Sequence, residues 1–208
     1  MNLGVVLMAA GSGSRMGFKP KCLLHLDGVP LITRMLESLK RLGVQELVVV
    51  LGHYQDTIAP LVHGEHVHPV IHPEPDQGQI SSQRLGLASL TQRHDAIIMA
   101  LADQPLLETE DLQLLLERFH ARPAGKEMLY PQVGQTPGNP VIITNAVKQD
   151  ILLRANEYGC RQWRQDHPSR VERFLSDNTH FSCDVDTPED ILALQASTGR
   201  TLTWGPSL

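Results

Sequence analysis

Three segments of the 208-residue chain carry residue types at spacings suited to handling phosphates and a hard cation. The first reads Ala9-Ala10-Gly11-Ser12-Gly13-Ser14-Arg15-Met16-Gly17-Phe18-Lys19-Pro20-Lys21. Glycines let a backbone approach a phosphate and aim its N–H groups at it. Arg15 and Lys21 add positive charge at the same edge. Two familiar phosphate loops are excluded. A P-loop needs G-x-x-x-x-G-K-[ST], but Gly17 lies one residue too far from Gly11 and precedes Phe18. A dinucleotide fingerprint needs G-x-G-x-x-G opening directly into a helix, whereas here the spacing is G-x-G-x-x-x-G before Lys-Pro-Lys. On residues alone, a flexible turn with incidental basic residues is the competing reading.

The second segment is Ala100-Leu101-Ala102-Asp103-Gln104-Pro105, an acid just beyond an apolar run. Mg²⁺ takes hard oxygen ligands, commonly one or two protein carboxylates plus phosphate oxygens. A turn or N-cap aspartate fits the same residues. The third is Cys183-Asp184-Val185-Asp186-Thr187-Pro188-Glu189-Asp190. Side chains alternate along an extended strand, so Asp184 and Asp186 share a face and could address one cation. Thr187 as N-cap, Pro188 at the first helical position, and Glu189 and Asp190 in the first turn announce a helix.

A parallel sheet would position these segments. Residues 3–8 and 96–101 are continuous apolar runs, as is 46–51 after its opening Glu46, the pattern of strands buried on both faces. Residues 31–42 and 108–120 have helical spacing, the latter with Leu112, Leu115, Leu116 and Phe119 as its stripe. Further strands are expected at 67–71, 128–131, 141–143, 171–175 and 181–185, and helices at 55–62, 81–90, 146–154, 159–165 and 187–195. The alternation predicts a single three-layer α/β/α domain over residues 1–197, with a mostly parallel sheet and a loosely held tail at 198–208. In such sheets ligands bind beyond the carboxyl ends of the strands, where the glycine loop and the acids fall.

The net charge of −5 argues against a general nucleic-acid binder. No stretch approaches a membrane span, and a cytoplasmic protein is expected. Cys22, Cys160 and Cys183 match no zinc pattern and read as reduced thiols. The ten histidines, among them His63, His66, His68 and His72, show no ligand spacing and read as surface residues.

AAGSGSRMG, KPKCLLHLDGVPLI, LADQP and DVDTPED together resemble the nucleotidyltransferases with a GT-A-like fold. More narrowly they resemble the molybdenum cofactor cytidylyltransferase group, over nearly the whole chain. The resemblance implies transfer of CMP from CTP to the phosphate of a molybdopterin-type acceptor, with release of pyrophosphate. It implies Mg²⁺ as cofactor, held by Asp103 and Asp186, with Asp184 as a helper. Ala9, Ala10, Gly11, Ser12 and Gly13 would wrap the nucleotide, with Gly78 and Ser82 from a second Gly-then-Ser segment and Arg84 as an extra contact. Plain N-capping by the serines is the alternative there. Arg15, Lys21 and Asp103 would be catalytic, with Lys19 as second choice for Lys21.

Gly138, Asn139 and Pro140 match the segment lining the acceptor pocket. The family usually reads Gly-His-Pro there, so Asn139 is a departure that bears on the acceptor. Arg161 matches a segment near the acceptor, although a solvent-facing helical arginine fits it better. A molybdoenzyme would be the downstream partner. Two other readings stand beside this one. The first is a transferase of the same fold using another NTP or a sugar or polyol phosphate. The second is a non-catalytic molybdenum cofactor carrier or insertion chaperone.

Overall fold

The computed structural model describes residues 2–205. The apolar runs form the centre of one sheet. The strands are β1 (Leu3–Ala9), β2 (Leu24–Leu26), β3 (Val29–Pro30), β4 (Glu46–Leu51), β5 (Val67–Ile71), β6 (Ala96–Leu101), β7 (Met128–Val133), β8 (Thr136–Pro137), β9 (Val141–Ile143), β10 (Val171–Leu175) and β11 (Leu202–Trp204). The helices are α1 (Leu31–Lys40), α2 (Gln55–Ile58), α3 (Gln79–Ser89), α4 (Thr109–His120), α5 (Asn145–Leu153), α6 (Cys160–Asp166) and α7 (Pro188–Thr198).

The main sheet runs β10-β7-β9-β6-β1-β4-β5, with β8 paired to β7. β1 is parallel to both β4 and β6, β4 is parallel to β5, and β9 is antiparallel to β6 and β7. The β1, β4 and β6 side chains alternate between two cores. Val5, Leu7, Val49 and Ile98 pack with α1 and α4. Val6, Met8, Val50 and Ile97 pack with α3, α5 and α6, around Trp163. This is the expected three-layer single domain with a mostly parallel sheet. The chain leaves β1 toward β4 on one side and leaves β6 toward β7 on the other, so the loops after β1 and β6 part and open a crevice at the sheet's carboxyl edge. No helix among the described residues is long and apolar enough to cross a membrane.

Two expectations are corrected. Residues 181–185 are not a strand. The Asn178 side chain accepts from the His180 N–H at 3.0 Å and starts a 3-10 turn over Thr179–Ser182, which buries Phe181. The chain then runs to Thr187 without a sheet partner. Val185 is nevertheless buried while Asp184 and Asp186 line the cleft, so their alternation survives without the strand.

Residues 198–205 are not loosely held. β11 pairs antiparallel with β2, which continues through the two-residue Asp27-Gly28 turn into β3. Asp-Gly is a strong short-hairpin signal. The Asp27 carboxylate accepts from Arg200 Nε at 2.7 Å and from the Thr201 N–H at 3.0 Å. Leu202 enters a small third core with Leu24, Leu26, Leu31 and Leu194. The rest of the tail, residues 206–208, lies outside the described residues.

Candidate active site

The glycine loop leaves β1 and is shaped by its own backbone. Gly13 accepts from the Met16 and Phe18 N–H groups at 2.8 and 3.0 Å. A Cβ on Gly13 would stand 1.9 Å from the Lys19 carbonyl, so no larger residue fits. The Tyr54 hydroxyl, just past β4, lies against the Ser12 carbonyl at 2.8 Å and against the Phe18 carbonyl, and ties the loop to the neighbouring strand end. Two residues before Tyr54, Gly52 is packed so closely that a Cβ would come within 2.6 Å of the Ala10 carbonyl and 2.9 Å of Pro75. The loops after β1 and β5 therefore meet across a bare backbone.

These loops and the β6 end enclose a cleft of about 520 Å³. Ala10, Gly11, Ser12, Arg15, Lys21, Gly78, Ser82, Asp103, Asn139, Asp184 and Asp186 line it, so most of the residues singled out in the sequence share one cavity. At its floor the Lys21 ammonium sits 2.6 Å from Asp103 Oδ2 and 2.6 Å from Asp186 Oδ1. Arg15 Nη2 lies 2.8 Å from the other Asp186 oxygen. Asp190 accepts from the Asp186 and Thr187 N–H groups at 2.9 and 2.8 Å, so the cap of α7 also orients Asp186.

Burial works against the Lys21 ammonium, but Asp103 and Asp186 outweigh it and hold its pKa above the usual lysine value. Burial likewise opposes the Asp186 carboxylate, yet Lys21 and Arg15 bring its pKa below the ordinary range. Asp184 behaves oppositely. Burial, then the charges of Asp103 and Asp186, push it up to about 6. The cluster is thus rich in negative charge that one lysine and one arginine only partly offset.

This donor set fits a hard divalent cation. Two carboxylates already converge on one point of positive charge, with a third close enough to be perturbed by them. No group of three or more His, Cys, Asp or Glu arranged to hold a metal occurs among the described residues. Two carboxylates completed by phosphate oxygens and water is a common Mg²⁺ arrangement.

Other predicted residues fall elsewhere. Ala9 ends β1 with its side chain in the α1 face of the core. Gly13 shapes the loop without lining the cleft. Gly138 and Pro140 flank Asn139 but do not line the cleft. Gly138 is pressed against the Phe181 carbonyl, where a Cβ would come within 2.4 Å, and the Asn139 N–H donates to that carbonyl at 2.8 Å. Lys19 stacks over the Trp204 ring at 5.1 Å rather than facing the cleft. Arg161 is exposed on α6.

Arg84 is corrected from a nucleotide contact to a structural clamp. Its guanidinium donates to the carbonyls of Ile151, Tyr158, Leu152 and Arg154, at 2.5 to 3.3 Å, and so closes the C-terminal end of α5. The reading of all histidines as surface residues is corrected too. His53 lines the cleft with Asp76, 3.4 Å from it, while His72 and His94 are buried. His53 and Asp76 were missed in the sequence. Applying the strand-end rule to β4 as strictly as to β1 and β6 would have found His53, two residues past Leu51.

The chain has the NTP-transferase fold. More narrowly, the model for MobA-like NTP transferase domains matches residues 5–171, and the chain belongs to that family. The bifunctional protein GlmU of Mycobacterium marinum (strain ATCC BAA-535 / M) is 35% identical over 221 residues, covering 96% of this chain and 44% of the relative. The chain therefore spans less than half the length of that relative. Rv0371c from Mycobacterium tuberculosis H37Rv superposes with a TM-score of 0.76 at 23% identity, covering 93% of this chain and 97% of that one. A manganese complex of the same protein superposes at 0.72 and 21% identity, covering 95% and 100%. A cytidylyltransferase from Leptospira borgpetersenii serovar Hardjo-bovis (strain JB197) superposes at 0.69 and 18% identity, covering 94% and 86%. At these identities the structural likenesses establish the fold.

Proposed function

We propose that the protein is a divalent-cation-dependent cytidylyltransferase that moves CMP from CTP onto the terminal phosphate of a molybdopterin-type cofactor. One observation carries the chemistry. Lys21, Arg15, Asp103 and Asp186 are clasped together at the floor of a cleft whose rim is a glycine loop. A cation on Asp103 and Asp186, Mg²⁺ being the expected one, would supply charge neutralisation at the triphosphate. The manganese-bound Rv0371c supports a divalent ion in this fold.

A phosphate monoester is already largely ionised near neutral pH, its second pKa being about 6, and needs no general base. One acceptor oxygen bonds to the α-phosphorus as the bond to the bridging oxygen breaks, and pyrophosphate departs with that electron pair. Arg15 and Lys21 offset charge on the α-phosphate and the leaving group. Backbone N–H groups of residues 11–13, with Gly78 and Ser82, fix the nucleotide so that most of the rate comes from orientation and preset charge. Asn139 reaches the same cleft and would meet the acceptor through neutral hydrogen bonds.

The Ala9-Ala10-Gly11 opening and a cytidylyltransferase neighbour favour CTP. The finished cofactor would pass to a molybdoenzyme in the cytoplasm. The test is pyrophosphate release with Mg²⁺ and each of CTP, GTP, ATP and UTP, with and without molybdopterin carrying molybdenum. Release with CTP only when that cofactor is present supports the reading. Release with a sugar or polyol phosphate instead reassigns the acceptor. Tight cofactor binding without release makes the protein a carrier.

A further inference from the structure

His72 does not line the cleft, yet it organises a segment that does. It follows β5, and its N–H donates to the carbonyl of Leu51, the last residue of β4, at 2.8 Å. Its side chain is buried. The Glu74 N–H lies 3.0 Å from Nδ1. A backbone N–H only donates, so Nδ1 accepts and the ring proton resides on Nε2. Nε2 is 2.6 Å from Ser81 Oγ, which must therefore accept. That frees the Ser81 hydroxyl proton for the Gly78 carbonyl, 3.2 Å away. The result is a one-way relay from Glu74 through His72 and Ser81 to Gly78.

The relay spans the turn that presents Pro75, Asp76, Gly78 and Gln79 to the cleft, and it ends beside Ser82 in the first turn of α3. Pro75 in turn seats on Gly52 against Ala10, so the same turn sets the distance to the glycine loop. We propose that His72 is a positioning residue for nucleotide binding: its imidazole bridges Glu74 and Ser81 and holds residues 73–82 in the shape that receives the nucleotide. The inference rests on the reading of the cleft as an NTP site.

The experiment compares the unsubstituted 208-residue chain with His72→Ala, His72→Asn and His72→Gln. Amide exchange over residues 73–82 is followed by NMR, and CTP binding with Mg²⁺ by calorimetry. The Asn oxygen stands near Nδ1 and keeps the acceptor for Glu74, while the Gln amide nitrogen reaches toward Ser81 and keeps the donor. In His72→Ala, exchange at residues 73–82 should rise and CTP affinity fall about tenfold each, the size of one or two lost hydrogen bonds. Exchange in β1 and β6 should stay unchanged. Asn should restore protection at Glu74 and Gln protection around Ser81, and each should recover part of the affinity.

In turnover assays KM for CTP should rise while kcat stays within about twofold. Wild-type protection and affinity in His72→Ala overturn the proposal. So does an Ala variant that neither Asn nor Gln improves upon. Wild-type protein that binds no NTP overturns the nucleotide reading itself, and the exchange data then decide separately whether His72 holds the turn.

Discussion

The sheet carries a cluster of opposed charges at each end, built from similar residues and serving different ends. At the carboxyl edge, Lys21, Asp103 and Asp186 face an open cleft, with surplus negative charge and a third acid, Asp184, pushed up to about 6 by burial and by Asp103 and Asp186. At the amino edge, Glu46, the first residue of β4, is sealed. It accepts from the Thr91 N–H and hydroxyl at 2.8 Å each and from the Gln92 N–H at 3.2 Å. His94 Nε2 lies 3.3 Å from it, over Gly4, whose missing side chain leaves room for the ring. Lys148 is buried nearby and donates to the Leu90 carbonyl at 2.7 Å. A charge surrounded by fixed donors is spent on holding loops to the sheet. A charge whose partners are cationic side chains at the wall of a cavity is free to exchange them for a ligand.

That contrast predicts a double dissociation. Asp103→Ala should lower kcat at least about a thousandfold, the scale of losing a catalytic charge contact, while thermal unfolding moves little. Near-normal turnover in that variant would remove the metal role. Glu46→Ala should do the reverse. It strands the Thr91 and Gln92 donors and leaves Lys148 uncompensated, at a cost of about 3–5 kcal/mol in denaturant unfolding, with kcat retained in whatever fraction stays folded.

Asn139→His, within the cleft but outside the charged cluster, should shift the acceptor KM by about tenfold and leave the KM for NTP alone. A change in both would place Asn139 on the nucleotide side.

The smallest effect concerns pH. Burial opposes ionisation of Glu46, but the Thr91 and Gln92 hydrogen bonds and His94 bring its pKa below the ordinary glutamate value of 4.5. A depressed carboxyl stabilises the fold above its unfolded pKa, and loses that contribution as pH falls through the folded one. The stability gap between wild type and Glu46→Gln, about 1–3 kcal/mol at pH 7, should therefore close on acidification below pH 4.5. A gap that persists into that range would show that the amide fails for reasons of shape.

Strand runs such as residues 47–51 and 96–101 were legible because burial on both faces leaves no polar gaps. The acids at strand ends were legible because a parallel sheet dictates where ligands go. The hairpin of β2 and β3 was not, since three- and two-residue strands show no period, although its Asp-Gly turn was in plain view. β11 acquires meaning only through β2, far away in the chain. Arg84 sits beside Ser82 on the helix that faces the cleft, and proximity alone made it resemble a ligand. The carbonyls that claim it come from residues 151–158. His72 lies one step past an edge strand with weak alternation, and its partners are side-chain and backbone atoms of a turn without a periodic signature.

The cluster at the cleft floor also has a temporal meaning. Arg15 and Lys21 find Asp186 across separations of 171 and 165 residues, and Asp27 finds Arg200 across 173. Contacts of such span are among the slowest to form, because chain entropy must be surrendered before they repay it. During synthesis, the glycine loop and Lys21 leave the ribosome long before the carboxylate that completes their surroundings. A nascent chain can therefore fold most of its central sheet and still lack the assembled charge cluster of the cleft until α7 docks.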